Sequence, residues 1–176
     1  CVRKNFFRSF NGRMLQSQSR KKRSQGSIEL ERYVKRHSVD SGTLGDAYLA
    51  KDKITGNDVV IKRIQTDWEI RESNKINTVC SSYRHLNNPF VVKILGMSYK
   101  SNWVFLIQEH VPGSNIHELV ERHQGLEESE LTFFAAEIFC AIRYLHKNHI
   151  TCLELFPQNI LLDKNGHIKV SNFGFK

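Results

Sequence analysis

Gly42-Thr43-Leu44-Gly45 is followed by the run Val59-Val60-Ile61-Lys62, with Lys62 17 residues after Gly45. Taken alone, the paired glycines are the signal of a hairpin turn. A β-branched run closing on a lysine reads as a strand. Strands are therefore expected over 33–39, 46–51 and 58–64, separated by turn signals at Ser41-Gly42 and Thr55-Gly56-Asn57. Residues 68–86 read as weakly helical, and 91–94 and 104–108 as short apolar strands. Pro112-Gly113-Ser114 then breaks the chain. From 128 to 147, Leu131, Phe134, Ile138, Ala141 or Ile142, and Leu145 recur every three or four residues, the spacing of a helix with a buried face. Beyond it, 160–163 and 167–171 flank the turn Lys164-Asn165-Gly166 as a hairpin. Strands, a hinge-like break, then a helix and a loop make a two-lobed α+β chain. Clefts at such junctions commonly bind small molecules.

The charge is unevenly placed. The 176 residues carry 26 Lys plus Arg against 18 Asp plus Glu, a formal net charge of +8. Residues 1–28 hold eight basic residues and no acid, so 29–176 is electrically balanced. Three segments follow: a basic tail over 1–28, a first lobe over 29–111, and a second over 112–176. In the tail, Phe6, Phe7, Phe10 and Met14 stand at helical spacing ahead of a Ser/Gln/Lys/Arg stretch. No apolar run approaches the roughly 20 residues of a membrane span, and no secretory h-region follows the basic start. The four cysteines (Cys1, Cys80, Cys140, Cys152) lack C-x-x-C spacing and read as reduced thiols of an intracellular protein.

Further segments complete the pattern begun by the glycines and Lys62. Tyr144-Leu145-His146, Leu155-Phe156-Pro157-Gln158-Asn159 and Asn172-Phe173-Gly174 follow in order. Together these resemble the protein-kinase signatures of Gly-rich loop, strand lysine, catalytic loop and D-F-G. Asn88-Pro89-Phe90, Glu109-His110-Val111-Pro112-Gly113 and Phe133-Phe134-Ala135-Ala136-Glu137 make the chain most similar to the AGC group and its cAMP-dependent kinases. The resemblance runs from about Tyr33 to Lys176. It implies a two-lobed kinase fold, with an antiparallel first-lobe sheet plus helix C and the first part of a helical second lobe. The chain ends two residues after Gly174. A fragment, a truncated product or a domain completed by a partner is expected.

The resemblance also implies a nucleotide site at Gly42, Gly45, Ala47, Val60, Lys62, Gln108, Glu109, Val111 and Leu161. Ala47 and Val60 would cover adenine, Leu161 would lie beneath it, and Gln108 takes the gatekeeper position. Several charged positions depart from the pattern. Asp40 replaces the first loop glycine. The helix-C glutamate falls on Val79 or Ser81, with Glu69 and Glu72 lying earlier in the chain. Without that acid, Lys62 is expected to be a free cation of the cleft or a solvated strand-end lysine. Glu154 replaces the catalytic aspartate and is expected to stand as a solvated loop acid, while Leu153 replaces the preceding arginine and Phe156 the lysine that contacts the γ-phosphate. Asn159 and Asn172 stand at the metal-ligand positions as neutral amides, where Mg²⁺ favours carboxylate. Acids that would read a basic peptide fall on Asn115 and Gln158.

Phosphoryl transfer is mostly positioning and charge stabilisation, and these changes remove both. The expected function is a pseudokinase with residual ATP-binding features and doubtful Mg²⁺ binding, acting as a scaffold or regulator. One alternative is a weak serine/threonine kinase, with Glu154 in place of its catalytic aspartate. Another is a module whose basic tail binds an anionic membrane or acidic partner. Expected partners are a nucleotide and a protein, either a kinase or a regulatory subunit, with no specific nucleic acid. The expected compartment is the cytoplasm, with the nucleus as the alternative.

Overall fold

The computed structural model describes residues 30–42, 45–65, 83, 85–100, 102–152 and 154–173. Five strands form one antiparallel sheet: β1 (Tyr33–Gly42), β2 (Gly45–Asp52), β3 (Asp58–Gln65), β4 (Ile94–Lys100) and β5 (Trp103–Glu109), in the order β1-β2-β3-β5-β4. Alternation assigns the faces. On β3, Val59 and Ile61 pack with Ala50 and Ile107 on one side, while Val60 joins Ala47 and Leu49 on the other. Register shifts at Lys35/His37 and Ser38/Asp40 add bulges to β1, which increase its twist.

The β2–β3 turn is tied down at Asp52. Its carboxylate accepts from Arg32 Nε at 2.6 Å, Ile54 N at 3.0 Å and Thr55 Oγ1 at 2.8 Å. The Arg32 guanidinium, more than any other group, holds that carboxyl well below the usual carboxylate range. Gly56 closes the turn at φ +71°, a conformation that favours glycine.

The second lobe contains α1 (Ile116–His123), α2 (Glu128–Lys147) and a hairpin of β6 (Ile160–Leu162) and β7 (Ile168–Val170), with the 3-10 turn Pro157–Asn159 before it. Phe134, Ala141 and Leu145 of α2 join Ile160, Leu162, Ile168, Val170 and Phe173 in one buried cluster, which continues into Ile94, Met97, Val104 and Leu106 of the sheet. This apolar cluster therefore runs through both lobes. Truncating a buried leucine such as Leu145 in such a core costs about 2–5 kcal/mol.

Two polar contacts lock the hairpin. Asp163 accepts from Asn165 N and His167 N, closing the turn at Lys164-Asn165-Gly166. Glu137, buried on α2, accepts from His167 Nδ1 at 2.6 Å and from Ile168 N at 2.9 Å. This bond to Glu137 raises the pKa of His167 above 6.5.

The expected strands and the α2 helix form, with three differences. The strand expected over 91–94 is shifted: β4 starts at Ile94, and 90–92 instead bonds to β7 through Val170 N to Phe90 O and Val92 N to Val170 O. A helix at Ile116–His123 was not expected. Asn115 caps it, accepting from Glu118 N at 2.9 Å while donating to Glu118 Oε1 at 3.0 Å. Asn115-Ile116-His117-Glu118 thus carries a start signal of the capping-box kind. On α2, Leu131 of the expected apolar stripe is exposed. Most of the expected 68–86 helix and all of the 1–28 tail lie outside the described residues. Cys140 and Cys152 are free thiols. Among the described residues no helix is long and apolar enough to cross a membrane.

Candidate functional site

A cleft of about 430 Å³ runs between the sheet and the hairpin. Ala47 of β2 and Val60 of β3 line it from above, joined by Val39 of β1, and Leu161 of β6 lines it from below. Gln108, Glu109 and Val111 line its back, where β5 passes into the second lobe. Gly42 and Gly45 face each other in register at the end of the β1–β2 hairpin.

The hinge is held close to β6. A Cβ placed on Gly113 would lie 2.0 Å from the carbonyl oxygen of Leu162, so only glycine admits this approach. Leu162 N donates to Ser114 O at 2.8 Å, and Asn115 bridges to Leu161. These contacts hold Leu161 at the cleft floor. The Glu109 side chain links three elements, accepting from Lys93 N at 2.9 Å and from Lys169 Nζ at 2.8 Å on β7.

The polar end of the cleft holds Lys62, Asn159 and Asn172. Lys62 is only 6 % exposed and donates from Nζ to Asn172 Oδ1. Asn172 Nδ2 donates to Asn159 Oδ1 at 2.6 Å, and Asn159 Nδ2 donates to Glu154 O at 2.9 Å. Ser171 ties the two segments together, its N and Oγ both donating to Asn159 O. Asn172 sits at φ +55°, in the left-handed region that asparagine tolerates.

The chemistry of the ends sets the direction of this relay. An ammonium only donates and a backbone carbonyl only accepts. The Asn172 atom facing Lys62 is therefore its oxygen, and the Asn159 atom facing Glu154 O is its nitrogen. That leaves the Asn172 amide N–H pointing at the Asn159 oxygen. A hard divalent cation needs converging oxygens. Here Asn172 turns its oxygen to an ammonium and its N–H to the other candidate ligand. The residues present do not fit Mg²⁺.

Two expectations change. Lys62 is neither a free cation nor a solvated lysine: it is buried and bonded to Asn172. Glu154 is not a solvated loop acid either. It is 8 % exposed and does not line the cleft. The Phe156 ring is 56 % exposed. Asn115 serves as a helix cap and, with Gln158, lines the cleft. Sequence reasoning missed Val39, Ser171 and Gly113. Val39 was legible as an apolar β1 residue just before the glycine turn, but no local signal marks the approach of Gly113 to β6.

A small antiparallel lobe stacked on a helical one, with a buried strand lysine reaching the residue before a Phe-Gly pair, defines the class of kinase-like folds. Residues 33–176 match the protein kinase domain family. The chain is 34 % identical over 149 residues to a "cAMP-dependent protein kinase, catalytic subunit-like" protein of Caenorhabditis elegans, covering 84 % of this chain and 37 % of that one. It is 31 % identical to the "cAMP-dependent protein kinase catalytic subunit PRKX" of Mus musculus, covering 78 % and 39 %. It is 28 % identical to "cAMP-dependent protein kinase type 3" of Saccharomyces cerevisiae, covering 85 % and 38 %. The chain belongs to the protein kinase family, with AGC-type, cAMP-dependent kinases among its relatives, and spans less than two-fifths of the length of these three.

Proposed function

We propose that the chain is a kinase-fold module that binds nucleotide without transferring phosphate, and that it acts as a scaffold or regulator in phosphorylation signalling. One observation carries this: Glu154, at the position of the catalytic carboxylate, is buried and stands outside the cleft wall. A general base must come within hydrogen-bond reach of the proton it takes. Phe156 adds an apolar ring where family members place a cation, so the γ-phosphate loses its charge clamp.

The nucleotide part rests on the apolar walls, Ala47 and Val60 above and Leu161 below, with Lys62 at the polar end. Its protein partner would be a kinase or a regulatory subunit. Residues 1–28 would add contact with an anionic surface, and the site of action would be the cytoplasm. Imaging the full chain beside one lacking 1–28 tests the last two assignments. The catalytic assignment is tested by assaying transfer from γ-labelled ATP with Mg²⁺ or Mn²⁺. Wild type is expected to match Lys62→Met. Turnover that Lys62→Met abolishes overturns the proposal and favours a weak serine/threonine kinase.

A further inference from the structure

We propose that the cleft takes nucleotide phosphates without a divalent cation, the Asn172 amide group standing in the cation's place between its own oxygen and that of Asn159. This rests on the assignment of the cleft as a nucleotide site. Asn172 Nδ2 lies 2.6 Å from Asn159 Oδ1, so an N–H fills the gap that two oxygens would otherwise leave to a metal. The amide cannot simply turn over. Reversing Asn172 would aim its N–H groups at the Lys62 ammonium, and reversing Asn159 would aim its oxygen at Glu154 O. Both are donor-to-donor or acceptor-to-acceptor contacts in a part-buried site, where an unmade hydrogen bond is costly.

The groups at the polar end of the cleft point the same way, while the carboxylates of the wall, Glu109 and Glu118, lie on its hinge side. Lys62 is the only lysine or arginine among the described residues lining the cleft. A nucleotide free of metal presents its full phosphate charge to that ammonium. A Mg²⁺-bound nucleotide presents two charges fewer and brings a cation toward an ammonium and an amide N–H. At this end of the cleft Mg²⁺ therefore meets an ammonium and an amide N–H in place of ligand oxygens.

Asn172→Asp reverses the logic. Its carboxylate still accepts from Lys62, but its second oxygen then faces Asn159 Oδ1. Two acceptors in contact are relieved by a cation between them.

The test is calorimetric titration of the full chain with ATP and with ADP, in EDTA and in excess Mg²⁺, with a thermal melt to establish that each protein is folded. The expected result is that wild type binds in EDTA at least as tightly as in Mg²⁺. Asn172→Asp is expected to gain affinity in Mg²⁺ by about tenfold, equivalent to about 1.4 kcal/mol. If Asn172→Asp does not fold, Asn159→Asp places the carboxylate on the other side of the same gap and is expected to gain Mg²⁺ dependence likewise. Wild-type binding that requires Mg²⁺, or is tenfold tighter with it, overturns the inference and leaves the nucleotide site standing. Folded wild type that binds neither nucleotide under either condition overturns both. Metal-independent binding that neither variant alters overturns the role given to the amide relay.

Discussion

Lys62 on β3 and Asn172, 110 residues later, meet in a hydrogen bond from ammonium to amide oxygen that joins the sheet to the second lobe. The bond is one side of a relay that continues through Asn159 to the backbone of Glu154. Removing the ammonium leaves Asn172 Oδ1 without this donor in a part-buried site. Lys62→Met is expected to lower nucleotide affinity by tenfold or more and also to lower stability by about 1–3 kcal/mol. Denaturant unfolding without ligand separates the two effects.

If the proposed inactivity comes from the altered charges, no single reversion produces transfer. Moving the Glu154 carboxylate by one methylene is a displacement of about 1 Å, which can cost about 10²-fold, and each missing stabilising charge costs about 10²–10³-fold. Glu154→Asp, Phe156→Lys and Asn172→Asp are each expected to stay at background alone. The triple variant is the one in which transfer is expected to emerge. Assaying all four beside wild type with γ-labelled ATP and Mg²⁺ checks this.

His167 makes the clamp between α2 and the hairpin sensitive to pH. Glu137 lies against it from α2 and Asp163 from the hairpin turn, while Phe90 and Phe133 flank the ring. Its folded pKa is raised, so its contribution is fully present below the unfolded value near 6.5 and is lost as pH rises through the higher folded value. The melting temperature of wild type is expected to fall more steeply above pH 6.5 than that of His167→Gln. Glu137→Ala, which also strands Ile168 N–H, is expected to cost about 2–3 kcal/mol at neutral pH, measured by urea unfolding.

Gly113 sets the distance from the hinge to the cleft floor. Gly113→Ala forces its methyl into the Leu162 carbonyl and is expected to destabilise the chain by about 1–3 kcal/mol. The same substitution is expected to weaken nucleotide binding, because Leu161 shifts with its neighbour. Asn115→Ala, which removes the α1 cap but keeps the backbone bridge to Leu161, is expected to cost about 1 kcal/mol and to weaken binding less than Gly113→Ala does. Paired unfolding and binding measurements distinguish the two positions.

Much of this was legible in the sequence because the signals are local. The glycine turn, the β-branched run to Lys62 and the apolar spacing of 128–147 each depend on neighbouring residues alone. The residue types at 154, 156, 159 and 172 could be read in the same way. What they do to one another could not. The relay depends on which atom of each asparagine faces a group of fixed polarity, and those groups, Lys62 and Glu154 O, are distant in sequence from Asn172. Burial of Lys62 and Glu154 was missed for the same reason: charge suggests exposure, and only tertiary contact overrides it. The shifted start of β4 follows from competition, since 90–92 finds its hydrogen bonds on β7.

The relay itself can be observed through the side-chain amide signals of Asn159 and Asn172 in ¹H–¹⁵N spectra, recorded with saturating ATP during titration by Mn²⁺, whose paramagnetism erases signals from nuclei close to it. The expected result is that both asparagine signals keep their intensity at stoichiometric Mn²⁺ in wild type, and that the Asn159 signal is lost in Asn172→Asp. Selective loss of the Asn159 and Asn172 signals in wild type would contradict a cleft that holds its nucleotide without metal.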